Sequence, residues 1–200
     1  MNVSISSKNS KMGAIPSISL PAGETCRKDC KCYEECYARK LERIRPNVHA
    51  AYKNNLDILI KQPDTYWREV EAQIMVSRFF RWHVSGDIVD STYFNNMVKI
   101  SNRNPHCEML CFTKRYDIVN EFLKVGGIIP SNLHVIFSGW LGMKMENPYN
   151  LPEAHVKYSD GSTTASQNAK PCGGNCTNCA LTNGGCWSLK SGEQIVFKKH

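Results

Sequence analysis

The sequence predicts an α/β protein that contains a parallel β-sheet. Three short apolar segments, residues 78–84, 108–113 and 133–137, have strand character, and two amphipathic segments, residues 91–101 and 116–125, separate them. Strands that alternate with helices at this spacing are typical of βα units, whose right-handed crossovers place the strands' carboxyl ends at one edge of the sheet. The length of 200 residues and the hydrophobic content of 42% suit one such domain with a small appendage.

The N-terminal third is expected to consist of one strand, a loop and three helices. Residues 1–13 are rich in serine, asparagine and lysine and are expected to be flexible. Residues 15–20 alternate apolar and polar side chains and end at Pro21 and Gly23, which predicts a short strand that leads into a loop. Helical periodicity, and proline at first helical turns, predict three helices over residues 34–44, from Pro46 and from Pro63 or Asp64.

The C-terminal part has a weaker pattern and is interpreted as an extension of the βα core. Residues 154–158 and 194–197 have strand character, whereas residues 159–169 are polar and are expected to form a loop. Glycine and asparagine dominate around the last cysteines, so metal binding rather than an apolar core is expected to organise this stretch. We therefore divide the chain into a βα core, residues 1–158, and a cysteine-rich extension, residues 159–200.

Eight of the ten cysteines lie in two groups, one near each end of the chain. The N-terminal cysteine group, in the loop over residues 26–36, consists of Cys26, Cys30, Cys32 and Cys36. The C-terminal cysteine group consists of Cys172, Cys176, Cys179 and Cys186. The thiols of one group can all reach a single metal centre, because a loop spans only about 3.3–3.6 Å per residue. The sequence therefore predicts two metal sites.

The cellular compartment decides between metal ligation and disulfide bonding. Residues 1–13 lack the basic and apolar segments of a signal peptide, and no apolar run is long enough to cross a bilayer, so we expect a cytoplasmic protein without a membrane partner. Clustered cysteines in a reducing cytoplasm are typically metal ligands, whereas in a secreted protein they would form disulfides. Cys107 and Cys111, which lie outside both groups, are expected to be buried as small apolar side chains.

The spacing within the two groups predicts different chemistry. In the C-terminal group, four thiolates complete the coordination of a [4Fe-4S] cluster or of a tetrahedral zinc ion, so the site is closed to substrates. In the N-terminal group, Cys30 and Cys32 are separated by one residue, which makes it difficult for all four thiols to bind one cluster. Two arrangements remain at this site: three ligands with an open iron, or a second closed site with four ligands.

Polar residues at the ends of the three predicted strands are candidates for binding a cofactor. These residues meet at the edge where parallel α/β sheets bind ligands, and the N-terminal cysteine loop is expected to open on the same edge. The candidates are Ser85, Asp87, Thr113, Lys114, Arg115 and Ser138. Asp87 follows Gly86 and is expected to be exposed, whereas His83 is expected to be a hydrogen-bonded core histidine rather than a ligand.

Several motifs resemble those of the gene product 88 family of phage and prophage proteins. They are residues 15–21, the end of the cysteine loop at residues 36–40, and residues 80–87, 112–115, 132–138 and 179–187. The family is similar, more remotely, to radical S-adenosylmethionine (SAM) proteins, which combine a βα barrel with a three-cysteine cluster. This resemblance implies a partial or small parallel βα barrel in which Cys26, Cys32 and Cys36 bind a cluster and Cys30 is an extra thiol. It also implies that SAM binds at the strand-end candidates.

Three functions follow from these expectations. The leading one is an iron–sulfur protein of a phage or mobile element that binds two [4Fe-4S] clusters and acts as a radical-SAM-like redox enzyme. The second is a non-catalytic iron–sulfur electron carrier or regulator, and both of these functions imply an electron donor protein as partner. The third is a zinc-stabilised nucleic-acid-binding protein, for which the net charge of +7 is favourable.

Overall fold

Strands from all parts of the chain join one β-sheet. The computed structural model describes residues 2–9 and 12–199. Its strands are β1 (Ile5–Ser6), β2 (Ser17–Ile18), β3 (Phe79–Trp82), β4 (Glu108–Thr113), β5 (Leu133–Ser138), β6 (Glu153–Lys157), β7 (Lys170–Pro171) and β8 (Gln194–Lys198). Within the described residues these strands form one eight-stranded sheet in the order β1-β2-β3-β4-β5-β6-β8-β7. All neighbours are parallel except β1 and β2, which are antiparallel.

The helices begin and end where local sequence signals place them. They are α1 (Tyr37–Ile44), α2 (Pro46–Lys61), α3 (Pro63–Met75), α4 (Ser91–Arg103), α5 (Tyr116–Lys124) and α6 (Cys176–Leu181), followed by a 3-10 turn at Gly185–Trp187. Proline occupies the first turn of α2 and of α3, where the missing N–H group costs nothing. The Asp90 side chain caps α4 by accepting a hydrogen bond of 2.7 Å from the Tyr93 N–H group.

In most of the parallel part of the sheet, the spatial order of the strands is their order along the chain. From β2 to β6 each strand lies beside the next strand along the chain. Because parallel crossovers are right-handed, connections that always advance in one direction place their helices on one face of the sheet. The prediction of an α/β protein with a parallel sheet is therefore confirmed, whereas closure into a barrel stays a prediction.

One face of the sheet, the helix face, packs against α3, α4 and α5. Successive side chains on a strand point to opposite faces, so every second residue of β3, β4 and β5 turns this way. The strand side chains in this core are Phe80, Trp82, Met109, Cys111, Val135 and Phe137. The helix side chains that meet them include Tyr66, Val70, Ile74, Phe94, Met97 and Val119. Cys107 and Cys111 are fully buried, as predicted.

The opposite face of the sheet, the extension face, packs against the C-terminal extension. Leu110, Ile136 and Ala154 form a second apolar core with Trp187 and with other residues of the extension. Trp187 is 4% exposed, and its ring centroid lies 5.3 Å from that of Phe79. The expectation that the extension lacks an apolar core is wrong, because Ala180, Trp187, Leu189 and Ile195 of the extension pack against the apolar surface of the sheet.

The extension also contributes to the sheet itself. Strand β8 lies between β6 and β7, and five residue pairs join β6 to β8, from Glu153 with Gln194 to Lys157 with Lys198. The division of the chain at residue 158 stays a prediction, although the two parts share one sheet. Among the described residues, no helix is both long and apolar enough to cross a membrane.

The N-terminal strand β1 lies in a segment that was expected to be flexible. Ile5 and Ser6 pair with Ile18 and Ser17 of β2, so the expectation is wrong for these residues. Residues 1, 10 and 11 of that segment lie outside the described residues. A strand of two residues is too short to show a periodic pattern in the sequence. Contacts with distant parts of the chain hold β1 in the sheet.

Asn55 on α2 supplies the main contacts that hold the start of the chain. Its side chain is fully buried, and its Nδ2 atom donates to the Ser4 carbonyl at 2.9 Å and to the Ser19 carbonyl at 3.0 Å. Its Oδ1 atom accepts from the Ser4 N–H group at 2.7 Å. One side chain therefore fixes the segments that contain β1 and β2 to the same helix.

We predict that Asn55→Ala lowers the free energy of unfolding by about 3 kcal/mol, because buried backbone groups lose their partners. Urea unfolding followed by circular dichroism measures this loss. The control is Asn54→Ala, which removes one exposed hydrogen bond to the Asn2 carbonyl and should cost less than about 1 kcal/mol. Equal losses for the two variants would contradict the role given to Asn55.

Candidate metal centres

The N-terminal cysteine group lies in the loop between β2 and α1, at the carboxyl edge of the sheet. The Cys26 thiol lies near enough to Cys36 to interact with it electrostatically, and Cys32 interacts in the same way with Cys30 and Cys36. The Gly23 N–H group donates to the Cys26 sulfur at 3.5 Å. Burial raises the pKa of Cys26 to about 11. The four thiols therefore share one partly buried region.

Cys30 differs from the other thiols of the N-terminal group. It is 5% exposed, and its Sγ atom donates a hydrogen bond to the Met143 Sδ atom at 3.6 Å. The Cys30 and Cys32 thiols also interact with each other, and this interaction lowers the pKa of Cys30 while it raises that of Cys32. Cys26, Cys32 and Cys36 are more exposed than Cys30.

A buried carboxylate, Glu42 on α1, anchors the beginning of the cysteine loop. Its Oε1 atom accepts from the Ala22 N–H group at 3.0 Å and from the Ser85 hydroxyl at 2.6 Å. Its Oε2 atom lies 2.9 Å from His49 Nδ1. The predicted ligand residue Ser85 thus joins the loop to the end of β3, and its hydroxyl donates to a protein partner.

Asp87 is buried, which corrects the expectation that it is exposed. Only 6% of the residue is accessible, and its carboxylate accepts from the Thr113 hydroxyl at 2.6 Å and from the Lys114 N–H group at 2.8 Å. Burial raises the pKa of Asp87 in spite of these bonds. The turn at Gly86 has a φ of 78°, and a Cβ atom there would lie 2.7 Å from the Leu20 carbonyl, so glycine permits the close approach of β3 to the cysteine loop.

Lys114 and Ser138 are two strand-end candidates whose side chains hydrogen-bond to each other. The Lys114 Nζ atom donates to the Ser138 hydroxyl at 2.9 Å and lies 6.0 Å from the ring centroid of Trp140. The Lys114 ammonium also interacts electrostatically with Cys26, Cys30 and Cys32. The Lys114 ammonium and the buried Asp87 carboxylate therefore act on the N-terminal thiols in opposite directions.

Arg115 has a different environment from Lys114. Its guanidinium donates to the Ile88 carbonyl at 3.0 Å and to the Val89 carbonyl at 2.7 Å, and it pairs with Asp117 at 3.0 Å. These bonds connect β4 to the loop after β3. Of the six predicted ligand residues, Asp87 and Lys114 are in electrostatic reach of the N-terminal thiols, and Ser138 accepts a hydrogen bond from Lys114. Ser85, Thr113 and Arg115 join structural elements to one another.

The C-terminal cysteine group lies in and just before helix α6 and in the 3-10 turn that follows it. Cys186 interacts electrostatically with all three other thiols of its group, and burial raises its pKa to about 12. The Gly174 N–H group donates to the Cys172 sulfur at 3.4 Å. Gly185 has a φ of 55°, and a Cβ atom there would lie 2.9 Å from the Cys179 sulfur. Glycine at this position leaves space for the thiols to face one another.

The chemistry of the donors fits metal binding in both groups. No disulfide joins the ten cysteines, all of which lie among the described residues, and a backbone N–H group donates to sulfur in each group, as is favourable for thiolate ligands. Within residues 2–9 and 12–199, however, no three Cys, His, Asp or Glu side chains converge with the geometry of a metal-ion site. The metal sites therefore stay a prediction.

Arg81 is a residue near the thiols that sequence reasoning did not select. It lies on β3 and turns to the extension face, where it interacts electrostatically with Cys176 and Cys186. A charged residue between aromatic residues of a central strand was the signal that could have identified it.

His83 is a core histidine, as predicted. It is 3% exposed, and its Nε2 atom lies 3.0 Å from the Tyr93 hydroxyl, which lies 2.7 Å from the Tyr66 hydroxyl. Its φ of 54° lies in the left-handed region that few residues other than glycine adopt. Burial, together with the nearby charge of Arg81, lowers the pKa of His83 to about 3.

The fold and the two cysteine groups define a class: an α/β protein with a mostly parallel sheet and a cysteine group at each end of the chain. The family model described as Gene product 88 matches residues 3–182, and the chain belongs to this family.

A relative is the "Gene 88 protein" of Mycobacterium phage L5, which is 27% identical over 120 residues. The match covers 53% of this chain and 50% of the relative, so the chain spans about half the length of that protein. No solved structure matches the chain. The family resemblance is therefore confirmed, whereas the more remote similarity to radical SAM proteins stays a prediction.

We predict that His83 stays neutral in the folded protein far below pH 6.5, the ordinary pKa of histidine. Because the pKa of His83 is lower in the folded than in the unfolded protein, the unfolded chain takes up a proton at a higher pH than the folded chain does. Stability contributed by neutral His83 is complete above about pH 6.5 and decreases towards pH 3, by about 1.4 kcal/mol per pH unit in the middle of this range. Imidazole ¹⁵N chemical shifts against pH measure the protonation directly.

The variant for this prediction is His83→Asn, because asparagine tolerates a positive φ. Its unfolding free energy should depend less on pH between about 3 and 6.5 than that of the wild type. An imidazole that titrates near pH 6.5 in the folded protein would contradict the prediction.

Proposed function

We propose that this protein is an iron–sulfur protein that binds one cluster at each cysteine group and uses them in redox chemistry. The observation that supports this most is that eight cysteine side chains gather in two separate groups, one at the carboxyl edge of the sheet and one on the extension face. Cysteine thiolates are the ligands of [4Fe-4S] clusters, and hydrogen bonds to their sulfur atoms tune such clusters. Among the described residues, no disulfide joins these cysteines.

In this proposal the N-terminal group is the reactive site. Cys26, Cys32 and Cys36 are its ligands, and Cys30 is the extra thiol because it is the most buried and donates to Met143. Three ligands leave one iron of a cluster open. The site lies at the carboxyl edge of a parallel sheet, which is where such sheets bind substrates and cofactors.

The C-terminal group is a closed site in this proposal. Its four thiols are covered on one side by the sheet and by Trp187. The Trp187 ring packs against Phe79, and its centroid lies 6.0 Å from the centroid of the His134 ring. A cluster with four protein ligands transfers electrons without binding substrate. An external electron donor protein is the partner that this arrangement needs.

We further propose that the sheet is an open form of a βα barrel. In a barrel the helices lie outside and the opposite face points inward, and in this protein the extension occupies that opposite face. At the carboxyl edge, Lys199 after β8 pairs with Glu35 of the cysteine loop at 2.9 Å. The end of the last strand thus approaches the loop after β2.

SAM is the cofactor proposed for the open iron of the N-terminal site. When bound to a reduced cluster, it supplies a carbon-centred radical. Lys114 and Ser138 would bind its carboxylate, since an ammonium and a hydroxyl already lie together beside the thiols. Asp87 would hold Lys114 in place through the backbone N–H group, and Trp140 would shield the ammonium from water.

We predict that anaerobically purified protein is brown and contains about eight iron and eight sulfide per chain. Cys32→Ser and Cys186→Ser should each lose about half of both, because each removes a ligand of one cluster. Cys30→Ser is the matched control in the same loop and should keep the full content. Iron and acid-labile sulfide assays measure these values.

The outcomes of this assay separate the proposed functions. Zinc in place of iron, with no sulfide, would contradict the proposal and favour a zinc-stabilised nucleic-acid-binding protein. Loss of iron in Cys30→Ser as large as in Cys32→Ser would contradict the three-ligand site but not the presence of two clusters.

We predict that SAM changes the electron paramagnetic resonance (EPR) spectrum of the reduced wild-type protein, and that Lys114→Met weakens SAM binding at least about tenfold. The reason is the loss of a charge-assisted hydrogen bond, whose removal costs about 1.5–3 kcal/mol. Lys124→Met, in an exposed ion pair on α5, is the control with the same change in net charge. A wild-type spectrum that SAM leaves unchanged would favour an electron carrier or regulator instead.

A further inference from the structure

Helix α1 has a basic face that the proposed function does not use. This basic face consists of Arg39, Lys40 and Arg43, which are neighbours on one side of the helix, and of Arg45 directly after it. Lys40, Arg43 and Arg45 are exposed. Within residues 2–9 and 12–199, no salt bridge neutralises any of these four side chains.

The positions of these charges are unfavourable for the helix itself. Like charges three or four residues apart on a helix repel each other, as Arg39 and Lys40 each do with Arg43. Arg39 and Lys40 also lie near the amino end of α1, where the helix dipole favours negative charge. Among the described residues, no hydrogen bond from the Cys36 side chain caps that end. A negatively charged ligand would offset this repulsion.

The carboxylates close to these residues in the chain do not balance the basic face. Glu42 is buried and pairs with His49, and Glu35 pairs with Lys199 at 2.9 Å. In the described stretch 34–45, Glu34 is the one carboxylate without a salt bridge. Four unpaired positive charges therefore face one unpaired negative charge, and the surface is complementary to a polyanion.

An aromatic ring lies beside the basic face. The guanidinium carbon of Arg39 lies 3.5 Å from the centroid of the Tyr33 ring, and its Nη1 atom donates to the Tyr33 carbonyl at 2.8 Å. Tyr33 is 40% exposed. Bases of a single nucleic-acid strand stack on aromatic rings and on arginine planes, whereas the bases of a duplex are already stacked on one another. The pair of Tyr33 and Arg39 therefore favours a single strand.

The apolar side chains of α1 give less support to a lipid surface as the ligand. Leu41 and Ile44 are exposed, but the hydroxyl of Tyr37 is held by a hydrogen bond of 2.7 Å to the Val84 carbonyl. Two aliphatic side chains on a helix of eight residues would bury little apolar area in a membrane. A phosphate backbone accounts for the four charges and the ring together.

We infer that the basic face of α1 binds single-stranded nucleic acid. Phosphates contact Lys40, Arg43 and Arg45, and a base stacks at Tyr33 and Arg39. Because α1 begins directly after Cys36, the strand passes beside the N-terminal cysteine group. Binding requires no cluster, so this inference goes beyond the proposed function and does not depend on it.

The experiment measures the binding of a fluorescein-labelled oligothymidylate of about 20 nucleotides to the full-length protein. Fluorescence anisotropy gives the affinity between about 50 and 200 mM salt. The test variant is Lys40→Gln/Arg43→Gln. The control, Lys61→Gln/Lys124→Gln, makes the same change in net charge at exposed positions at the ends of α2 and α5. Circular dichroism and iron and sulfide assays are made on the same samples.

The test variant should bind at least about tenfold more weakly at low salt, whereas the control should stay within about twofold of the wild type. Its plot of log affinity against log salt should be less steep by about 1.4, since each phosphate contact contributes about 0.7. An oligouridylate of the same length assigns the preferred strand as RNA or DNA, and either assignment supports the inference.

A further variant, Tyr33→Leu, tests base stacking. Wild-type protein should bind oligothymidylate at least about fivefold more tightly than an abasic strand of the same length. Tyr33→Leu should bind the two strands equally, because the ring on which a base stacks is gone. Its salt dependence should match that of the wild type, since no phosphate contact is removed.

Several results would overturn the inference. They are equal losses in the test and control variants, an abasic strand or a duplex bound as tightly as oligothymidylate, and no binding to any strand. Binding to vesicles of phosphatidylglycerol and phosphatidylcholine instead, with loss in Leu41→Ser, would assign α1 to a lipid surface. Any of these results in protein with full iron and sulfide leaves the proposed function intact. Protein that binds oligothymidylate without iron and sulfide rejects the proposed function and keeps the inference.

Discussion

The packing of all the long helices on one side of the sheet is the constraint on which the rest of this structure depends. Parallel strands that follow one another in order send their crossover helices to the same face, which leaves the other face apolar and uncovered. Leu110, Ile136 and Ala154 cannot remain in water without a large cost, and the extension with Trp187 covers them. The C-terminal thiols thereby reach the middle of the sheet, and the N-terminal thiols stay at its edge.

Much of the fold was predictable because its signals are local. Strand β4 is an apolar run of the expected length, and α4 has both an aspartate cap and helical periodicity, so both were predicted close to their observed bounds. Strand β1 was not predictable, since Ile5 and Ser6 are held by β2 and by the distant side chain of Asn55. A short edge strand such as β1 depends on these tertiary contacts, and its sequence shows no periodic pattern.

The cysteine groups were predictable for the same reason, because the members of each group are neighbours along the chain. The residues around them were not. Asp87 is buried, and its carboxylate accepts hydrogen bonds from the Thr113 hydroxyl and the Lys114 N–H group at the end of the next strand. A turn sequence at Gly86 does not reveal these long-range partners. Arg81 becomes significant only when the register of β3 shows which face it occupies and what covers that face.

The hydrogen bond from the Thr177 hydroxyl to the Met12 carbonyl, at 2.6 Å, has a consequence for biosynthesis. It joins helix α6 to the segment before β2, and the part of the protein that covers the extension face leaves the ribosome after the strands β4 and β5 that it covers. Until then the nascent chain exposes Leu110 and Ile136, and exposed apolar surface of this kind favours aggregation. A nonsense codon, or a protease cut in the loop over residues 159–169, would leave a chain in that state permanently.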